Sequence, residues 1–289
     1  YNVCSFLSKC LDSLLAQYDA RLQILLVDDG STDGTGDICL QYAQQQPARI
    51  TLLRQRHQGL GAARNAGLAA AQARYVTFLD ADDWYPDGWV AAVLSQLQTY
   101  DGCDIFFTLP QLYDMRTDAF FPWYDANELR SIFDKGRRTV SPQSDIRLLG
   151  LQPSCCARIF RRALLNGLGF RFPEGVLWED ILPHFLLLDR ANSCRLIAQT
   201  GFIYRRGRPG QITNAINAGG TDLCAAYRQA LAYAASRRWP EEKIVYIHLR
   251  IAAYLFWRCR MASRSSRKQL IAEFHRVRCR MDPAQLKAL

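Results

Sequence analysis

A chain of 289 residues with 49% hydrophobic content reads as globular and is long enough to bury a sizeable core, as one large domain or one domain with an appendage. Ten scattered cysteines, with only Cys155 and Cys156 adjacent and no Cys-x-x-Cys pair, exclude a zinc-knuckle or small disulfide scaffold and favour a reducing cytoplasm. The net charge of +9 is carried by one end: residues 221–289 hold 14 Lys and Arg against 5 Asp and Glu, and residues 1–220 balance at 22 against 22.

The first element is expected at Val3 to Leu15, where Val3, Phe6, Leu7, Cys10, Leu11, Leu14 and Leu15 recur at helical spacing. The chain starts at Tyr1-Asn2 directly before this pattern, so a strand upstream of Tyr1 is expected in the same domain. Lys9 and Asp12 interrupt the opening stretch, which does not read as a signal peptide. Leu22 to Val27 is a continuous apolar run of the kind that suits a strand covered on both faces. It ends in Asp28-Asp29-Gly30. A helix over Asp33 to Gln46, a strand over Ile50 to Arg54, a helix over Gly61 to Ala73 and a strand over Tyr75 to Leu79 follow. A helix from Pro86 to Tyr100 and a strand from Asp104 to Leu109 complete the regular part. This alternation predicts a doubly wound α/β fold, whose ligands bind beyond the carboxyl ends of the strands. Gln111 to Ser144 is less regular and holds Tyr113, Phe120, Phe121, Trp123 and Tyr124, which either line a sugar site or pack beneath a long loop.

Two acidic loops lie at strand ends. Asp80-Ala81-Asp82-Asp83 follows Tyr75 to Leu79, and carboxylates at a strand-to-loop transition can converge on a hard divalent cation. The competing reading is that they cap the helix expected at Pro86. Asp28-Asp29-Gly30-Ser31-Thr32-Asp33-Gly34-Thr35 lacks the glycine pattern of phosphate-cradling loops; its carboxylates suit the N–H of a base or ribose hydroxyls, or else form a turn and helix cap.

These segments, with Gly59-Leu60-Gly61-Ala62-Ala63-Arg64-Asn65-Ala66-Gly67 and Leu7 to Gln17, resemble the inverting family-two glycosyltransferases of bacterial cell-surface polysaccharide synthesis. The likeness continues more loosely through Ala157 to Arg162, Phe172-Pro173-Glu174-Gly175, Trp178-Glu179-Asp180 and Tyr204-Arg205-Arg206. It implies a GT-A fold, a Rossmann-like mixed sheet flanked by helices, over residues 1–220, with residues 221–289 as a basic, aromatic-rich helical extension.

The resemblance also implies roles. Asp29, with Asp28 beside it and Tyr1 near the same ring, would recognise the base of the donor nucleotide. Arg64 would reach the nucleotide or its diphosphate. Asp82 would be the main ligand of Mn²⁺ or Mg²⁺, and Asp80 would bind ribose or a metal-bound water. Asp180 would be the general base, Glu179 would position it or bind acceptor hydroxyls, and Trp178 would offer a face to the sugar. Arg205 and Arg206, in Arg205-Arg206-Gly207-Arg208-Pro209-Gly210, resemble the segment that closes over the diphosphate, although Gln211 stands where related enzymes often carry Ser. The competing reading of Trp178-Glu179-Asp180 is a helix N-terminus. None of the four histidines is assigned to catalysis.

The implied activity is metal-dependent transfer of a sugar from a nucleotide donor, with a UDP-sugar favoured, to a glycan or lipid-linked hydroxyl. A non-catalytic sugar-nucleotide binder is the alternative, and a sugar-nucleotide pyrophosphorylase a further one whose Gly-rich amino-terminal loop is not seen. Nucleic acid is not expected, because carboxylates in the crevice repel a polyanion. No apolar run reaches the ~18 residues of a spanning helix; Ile244 to Trp257 is broken by His248 and Arg250. Arg250, Arg258, Arg260, Arg264, Arg267 and Lys268 around Tyr254 to Trp257 suggest an interfacial helix on anionic lipid at the cytoplasmic face, or a helix packed on the core or in a dimer contact.

Overall fold

The structure, a computed structural model, describes residues 1–17, 19–211, 221–261, 268, 271 and 272. Helix α1 (Cys4–Leu15) buries Leu7, Cys10 and Leu11 on the face that the spacing predicted. It packs with α2 (Thr35–Gln45) against a parallel pair, β1 (Ile24–Asp28) and β2 (Ile50–Arg54), around Leu7, Leu11, Ile24, Leu26, Cys39 and Ile50. Helix α3 (Leu60–Ala70) leads into β3 (Tyr75–Thr77), shorter than expected because the chain leaves the sheet before the acidic loop.

A second, mixed sheet runs β3, β6 (Arg158–Arg161), β4 (Ile105–Asp114) and β5 (Ala119–Pro122). The long β4 pairs antiparallel with β6 through Ile105 to Phe107 and with β5 through Gln111 to Asp114. Its other edge carries β7 (Cys194–Arg206) in parallel. The first part of β4 is therefore buried at every position, and Ile105, Phe106, Phe160 and Leu196 form the centre of the larger core. β4 extends five residues beyond the expected strand because β5 and β7 supply pairing that its own sequence does not announce.

Helix α4 (Trp89–Thr99) begins behind Gly88, which holds a left-handed φ of 77° and receives no side-chain cap. Asp80, Asp82 and Asp83 do not cap it. Among the described residues β1 pairs only with β2 and β3 only with β6. A slot lined by Ile24 to Val27 and Tyr75 to Leu79 separates them.

Helices α5 (Ala126–Ile132) and α6 (Arg162–Gly167) cover the mixed sheet, and α7 (Ile181–Arg190) buries Ile181, Phe185, Leu187 and Leu188 in the same core. The basic extension begins with α8 (Thr221–Ser236) and α9 (Glu241–Met261). Asp189 of α7 accepts hydrogen bonds from Tyr233 Oη and Trp239 Nε1, both at 2.8 Å. Ile247 and Ile251 are buried, and Arg250 donates to the Gly150 carbonyl at 2.6 Å. The first half of α9 thus packs on the α/β body. The side chains from 252 to 260, with Arg264 and Arg267, lie outside the described residues. Among the described residues no helix is long and apolar enough to cross a membrane.

Candidate active site

Local geometry brings three loops to one crevice. After β1 the chain turns at Gly30, with φ 74°, where an added Cβ would sit 2.8 Å from the His57 amide. Only glycine allows that approach, and it presses the 28–34 loop onto the 55–59 loop. On α3, a Cβ at Gly61 would lie 2.1 Å from the Pro173 carbonyl oxygen. Asn65 secures the same contact, donating to the Phe172 carbonyl at 3.0 Å and accepting from the Phe172 amide at 2.8 Å. Strand-edge residues 80–83 and the Trp178-Glu179-Asp180 segment are thereby held against α3.

Arg64 sits at the junction. Its buried guanidinium donates through Nη1 to Glu179 at 2.5 Å and Asp180 at 3.0 Å, and through Nη2 to Asp80 at 3.0 Å. Arg64, which the resemblance set near the nucleotide or its diphosphate, is engaged here by three carboxylates. Asp180 stands at the N-cap of α7 but makes no side-chain cap bond; its other oxygen accepts from the Cys155 amide at 3.4 Å. The competing reading, a helix N-terminus, holds for the position of this segment, and the Asp180 side chain is in addition turned to Arg64. Burial and the neighbouring Asp180 charge push Glu179 up to about 7, because Arg64 is shared three ways and compensates it only in part. Trp178, at φ 67°, lines the crevice beside these acids.

The second half of the acidic loop faces arginines from the segment after β7. Asp82 accepts from Arg208 Nε at 2.5 Å, and Asp83 accepts from the Arg205 amide at 2.7 Å. Arg205 Nε donates to the Asp82 carbonyl at 2.7 Å, and its guanidinium lies 4.6 Å from the centre of the Trp84 ring. Arg206 donates through Nε to the buried Asp114 at 3.1 Å. Gln211 stitches the turn, donating to the Arg205 carbonyl at 2.7 Å and accepting from the Gly207 amide at 2.9 Å. Burial and the Asp80 charge raise Asp82 despite Arg208, and burial and the Asp82 charge raise Asp83 further. One Asp83 oxygen is buried without a hydrogen bond.

Asp29 lies at the far end. Its carboxylate accepts from Gln55 Nε2 at 2.7 Å, the Gln58 amide at 2.9 Å, the Gly59 amide at 2.8 Å and pairs with His57 Nδ1 at 2.8 Å. Burial raises its pKa, but these donors outweigh it and hold the group below its ordinary value. These four contacts order the 55–59 loop around Asp29, which also lines the crevice. Tyr1 stacks on His57, centroid to centroid at 3.9 Å. Asp28 is buried beneath the turn, accepting from the Ser31 amide at 3.1 Å and facing Gly36 of α2. It is not brought to the crevice.

Asp29, Arg64, Asp80, Asp82, Trp178, Glu179, Asp180 and Arg206 all line one cavity of about 1980 Å³, which continues into the slot between β1 and β3. Arg208 lies in the basic turn that the resemblance set at the diphosphate, and its partner there is Asp82. His57 belongs to the site although the sequence did not place it there; its position two residues before Gly59 is the only signal for it.

A resident divalent cation fits this donor set. Asp80, Asp82, Asp83, Glu179 and Asp180 face the guanidinium groups of Arg64, Arg205 and Arg208, and the raised acids mark negative charge that these arginines leave uncompensated. Among the described residues no three ligating side chains converge. One carboxylate completed by water and phosphate oxygens is the usual arrangement for Mg²⁺-type sites.

Residues 1–166 match the family described as Glycosyl transferase family 2. An uncharacterized glycosyltransferase of Bacillus subtilis, EpsJ, is 44% identical over 220 residues, 74% of this chain and 60% of that protein. The minor teichoic acid biosynthesis protein GgaB of the same organism is 37% identical over 209 residues, 71% of this chain and 22% of its own length. The chain thus spans less than two thirds of the length of each of these relatives. Among solved structures, S. aureus TarS in complex with UDP-GlcNAc superposes with a TM-score of 0.65 at 17% identity, covering 96% of this chain and 88% of that one. The mannosyltransferase PcManGT of Pyrobaculum calidifontis, in complex with GDP-Man and Mn²⁺, gives 0.59 at 18% identity, covering 100% and 75%. The mixed sheet flanked by helices is the GT-A fold of these neighbours. With more than half of its length matched to the family and its acidic loops gathered in one crevice, the chain belongs to glycosyl transferase family 2.

Proposed function

We propose that the chain is a metal-dependent inverting glycosyltransferase that moves a hexose-type sugar from a nucleotide diphosphate, a UDP-sugar in the first instance, to a hydroxyl of a glycan or lipid-linked acceptor in cell-surface polysaccharide synthesis. The observation behind this reading is that Arg64 joins Asp80 to Glu179 and Asp180 in a crevice that Asp29 and Asp82 also line. The relatives support the pathway class, and the TarS complex supports uridine as the nucleoside.

In this reading the base stacks on the Tyr1–His57 pair, with Asp29 fixing the loop that presents His57. Ribose lies toward Asp80. Asp82 would hold a Mn²⁺ or Mg²⁺ ion, which would supply Lewis-acid neutralisation of the departing diphosphate. Arg205, Arg206 and Arg208 would face the phosphates, for which guanidinium forks are suited. Asp180, oriented by Arg64 and the Cys155 amide, takes the proton of the acceptor hydroxyl as its oxygen bonds to the anomeric carbon and the bond to the diphosphate breaks. Glu179 sets the polarity around Asp180, and Trp178 gives the sugar an apolar wall. A single in-line displacement inverts the anomeric centre.

The test is a screen of UDP- and GDP-sugars for release of nucleotide, with Mn²⁺, with Mg²⁺ and with chelator, followed by NMR of the product anomer. Metal-dependent release with an inverted product is expected. Tight nucleotide binding without turnover on any sugar would identify a binder instead, and a retained anomer would remove the single-displacement mechanism.

A further inference from the structure

A second cleft opens beside the crevice. It lies between residues 122–128, which lead into α5, the 3₁₀ turn Ile146–Gly150 and the first half of α9. Its volume of about 810 Å³ is in the range of sites that hold small organic ligands. Gly150 lets α9 come this close, because a Cβ there would collide with Tyr246 Oη and lie 3.0 Å from Arg250 Nε.

The cleft and the crevice share a wall, since Trp123 and Tyr124 line both. Trp123 is packed into the core against Phe202 and Tyr204, with ring centres 5.9 Å and 6.1 Å apart. Tyr124 is 57% exposed and stands on the ridge between the two cavities. Next to it, Asp125 accepts from the Gln152 amide at 2.5 Å through one carboxylate oxygen, and its other oxygen is buried without a hydrogen bond. Gln152, Pro153 and Ser154 line the crevice, and the Cys155 amide that follows reaches Asp180. Three residues span at most about 11 Å, so the cleft opens within reach of an oligosaccharide whose end lies at Asp180.

The lining suits a neutral polyhydroxylated ligand. Asp125 and Glu128 balance Arg147 and Arg250 across the cleft, and Asp145 adds a further carboxylate to Arg147 at 2.6 Å. A polyanion therefore gains little there, and an acyl chain would strip these groups of water. The protein itself uses them lightly. The nearest cation to Glu128 among the described residues is Arg147 Nη1 at 3.9 Å, and Arg250 donates through Nη2 to the Gly150 carbonyl. An exposed aromatic ring flanked by carboxylate acceptors and guanidinium donors matches a sugar, whose ring faces are apolar and whose hydroxyls both donate and accept.

We propose that this cleft is a subsite for the glycan part of the acceptor, a neutral oligosaccharide that passes over Tyr124 and ends among Glu128, Arg147 and Arg250. Helix α9 thereby forms one wall of a substrate site. The place of the subsite in the reaction rests on the transferase reading above; the binding of a glycan does not.

The experiment is saturation-transfer NMR, on the full chain, with tetrasaccharides of glucose, galactose, mannose, rhamnose and N-acetylglucosamine, their monosaccharides, and inorganic polyphosphate as the anionic control. Wild type, Tyr124→Ala and Glu128→Ala are compared, with melting temperatures to report that each is folded. Wild type binds at least one tetrasaccharide more tightly than its monosaccharide and does not bind polyphosphate at the cleft. Tyr124→Ala weakens that binding by about tenfold, as for an apolar ring face returned to water. Glu128→Ala, which keeps Tyr124 in place, weakens it by about threefold through the lost hydroxyl partner. With the bound tetrasaccharide as acceptor, Tyr124→Ala raises KM far more than it lowers kcat. A wild type that binds none of the five overturns the proposal, as does binding that both folded variants retain in full, which places the glycan elsewhere. Polyphosphate binding that the same substitutions abolish makes the cleft an anion site and overturns it too. Tetrasaccharide binding lost on substitution in a protein that releases nucleotide from no donor leaves the subsite intact and refutes the transferase reading alone.

Discussion

Replacing Glu179 by Gln is expected to stabilise the protein in a pH-dependent way. Burial, and the negative charge of Asp180 next to it, raise Glu179 from the ordinary 4.5 to about 7 in the folded state. The native state therefore holds the proton more tightly than the unfolded chain between those two values, and wild-type stability falls as pH rises through that window. Each pH unit is worth about 1.4 kcal/mol, so at pH 8 the ionised side chain costs the fold about 3 kcal/mol, and near pH 4 almost nothing. Glutamine has the shape of the protonated acid and removes this cost. Thermal melts of wild type and Glu179→Gln, with chelator present at both pH values, should coincide near pH 4. At pH 8 they should separate by about 5 °C in favour of the variant, since a chain of this size gains roughly 1.7 °C per kcal/mol. A difference that is the same at both pH values, or a variant less stable than wild type at pH 8, would refute the argument that Arg64 undercompensates its three partners.

Three further outcomes follow from the same geometry. Asp180→Asn should lose on the order of 10²–10⁴ in transfer rate while remaining folded and binding uridine diphosphate, because the proposed general base is removed; steady-state rates and calorimetry check this. Mn²⁺ titrated without nucleotide and followed by paramagnetic resonance should bind Arg208→Ala about tenfold more tightly than wild type, a difference of ~1.4 kcal/mol, since no guanidinium has to leave Asp82. Gly61→Ala should cost about 1–3 kcal/mol in chemical denaturation, because the new methyl group meets the Pro173 carbonyl at 2.1 Å and the 173–180 segment must shift.

Much of the fold was legible because its causes are local. The spacing of Leu7, Cys10 and Leu11 places α1, and the apolar run before Asp28 and the alternation up to Leu109 place the strands and helices that follow. Periodicity and turn chemistry act over a few residues, so a single sequence reveals them. The acidic loops were legible for the same reason, since both sit at strand ends where the fold gathers ligands.

What the sequence by itself determined is that inventory: which segments form strands and helices, and which loops carry the acids. Only the tertiary structure decided how the acids are used. Arg64 meets Glu179 and Asp180 across more than a hundred residues of chain, Arg208 is set against Asp82, Asp29 gathers the 55–59 loop around it, and Asp28 turns away from the crevice. Each depends on close approach of backbones at Gly30 and Gly61 and on rotamers chosen by packing, which are long-range properties that no local pattern encodes.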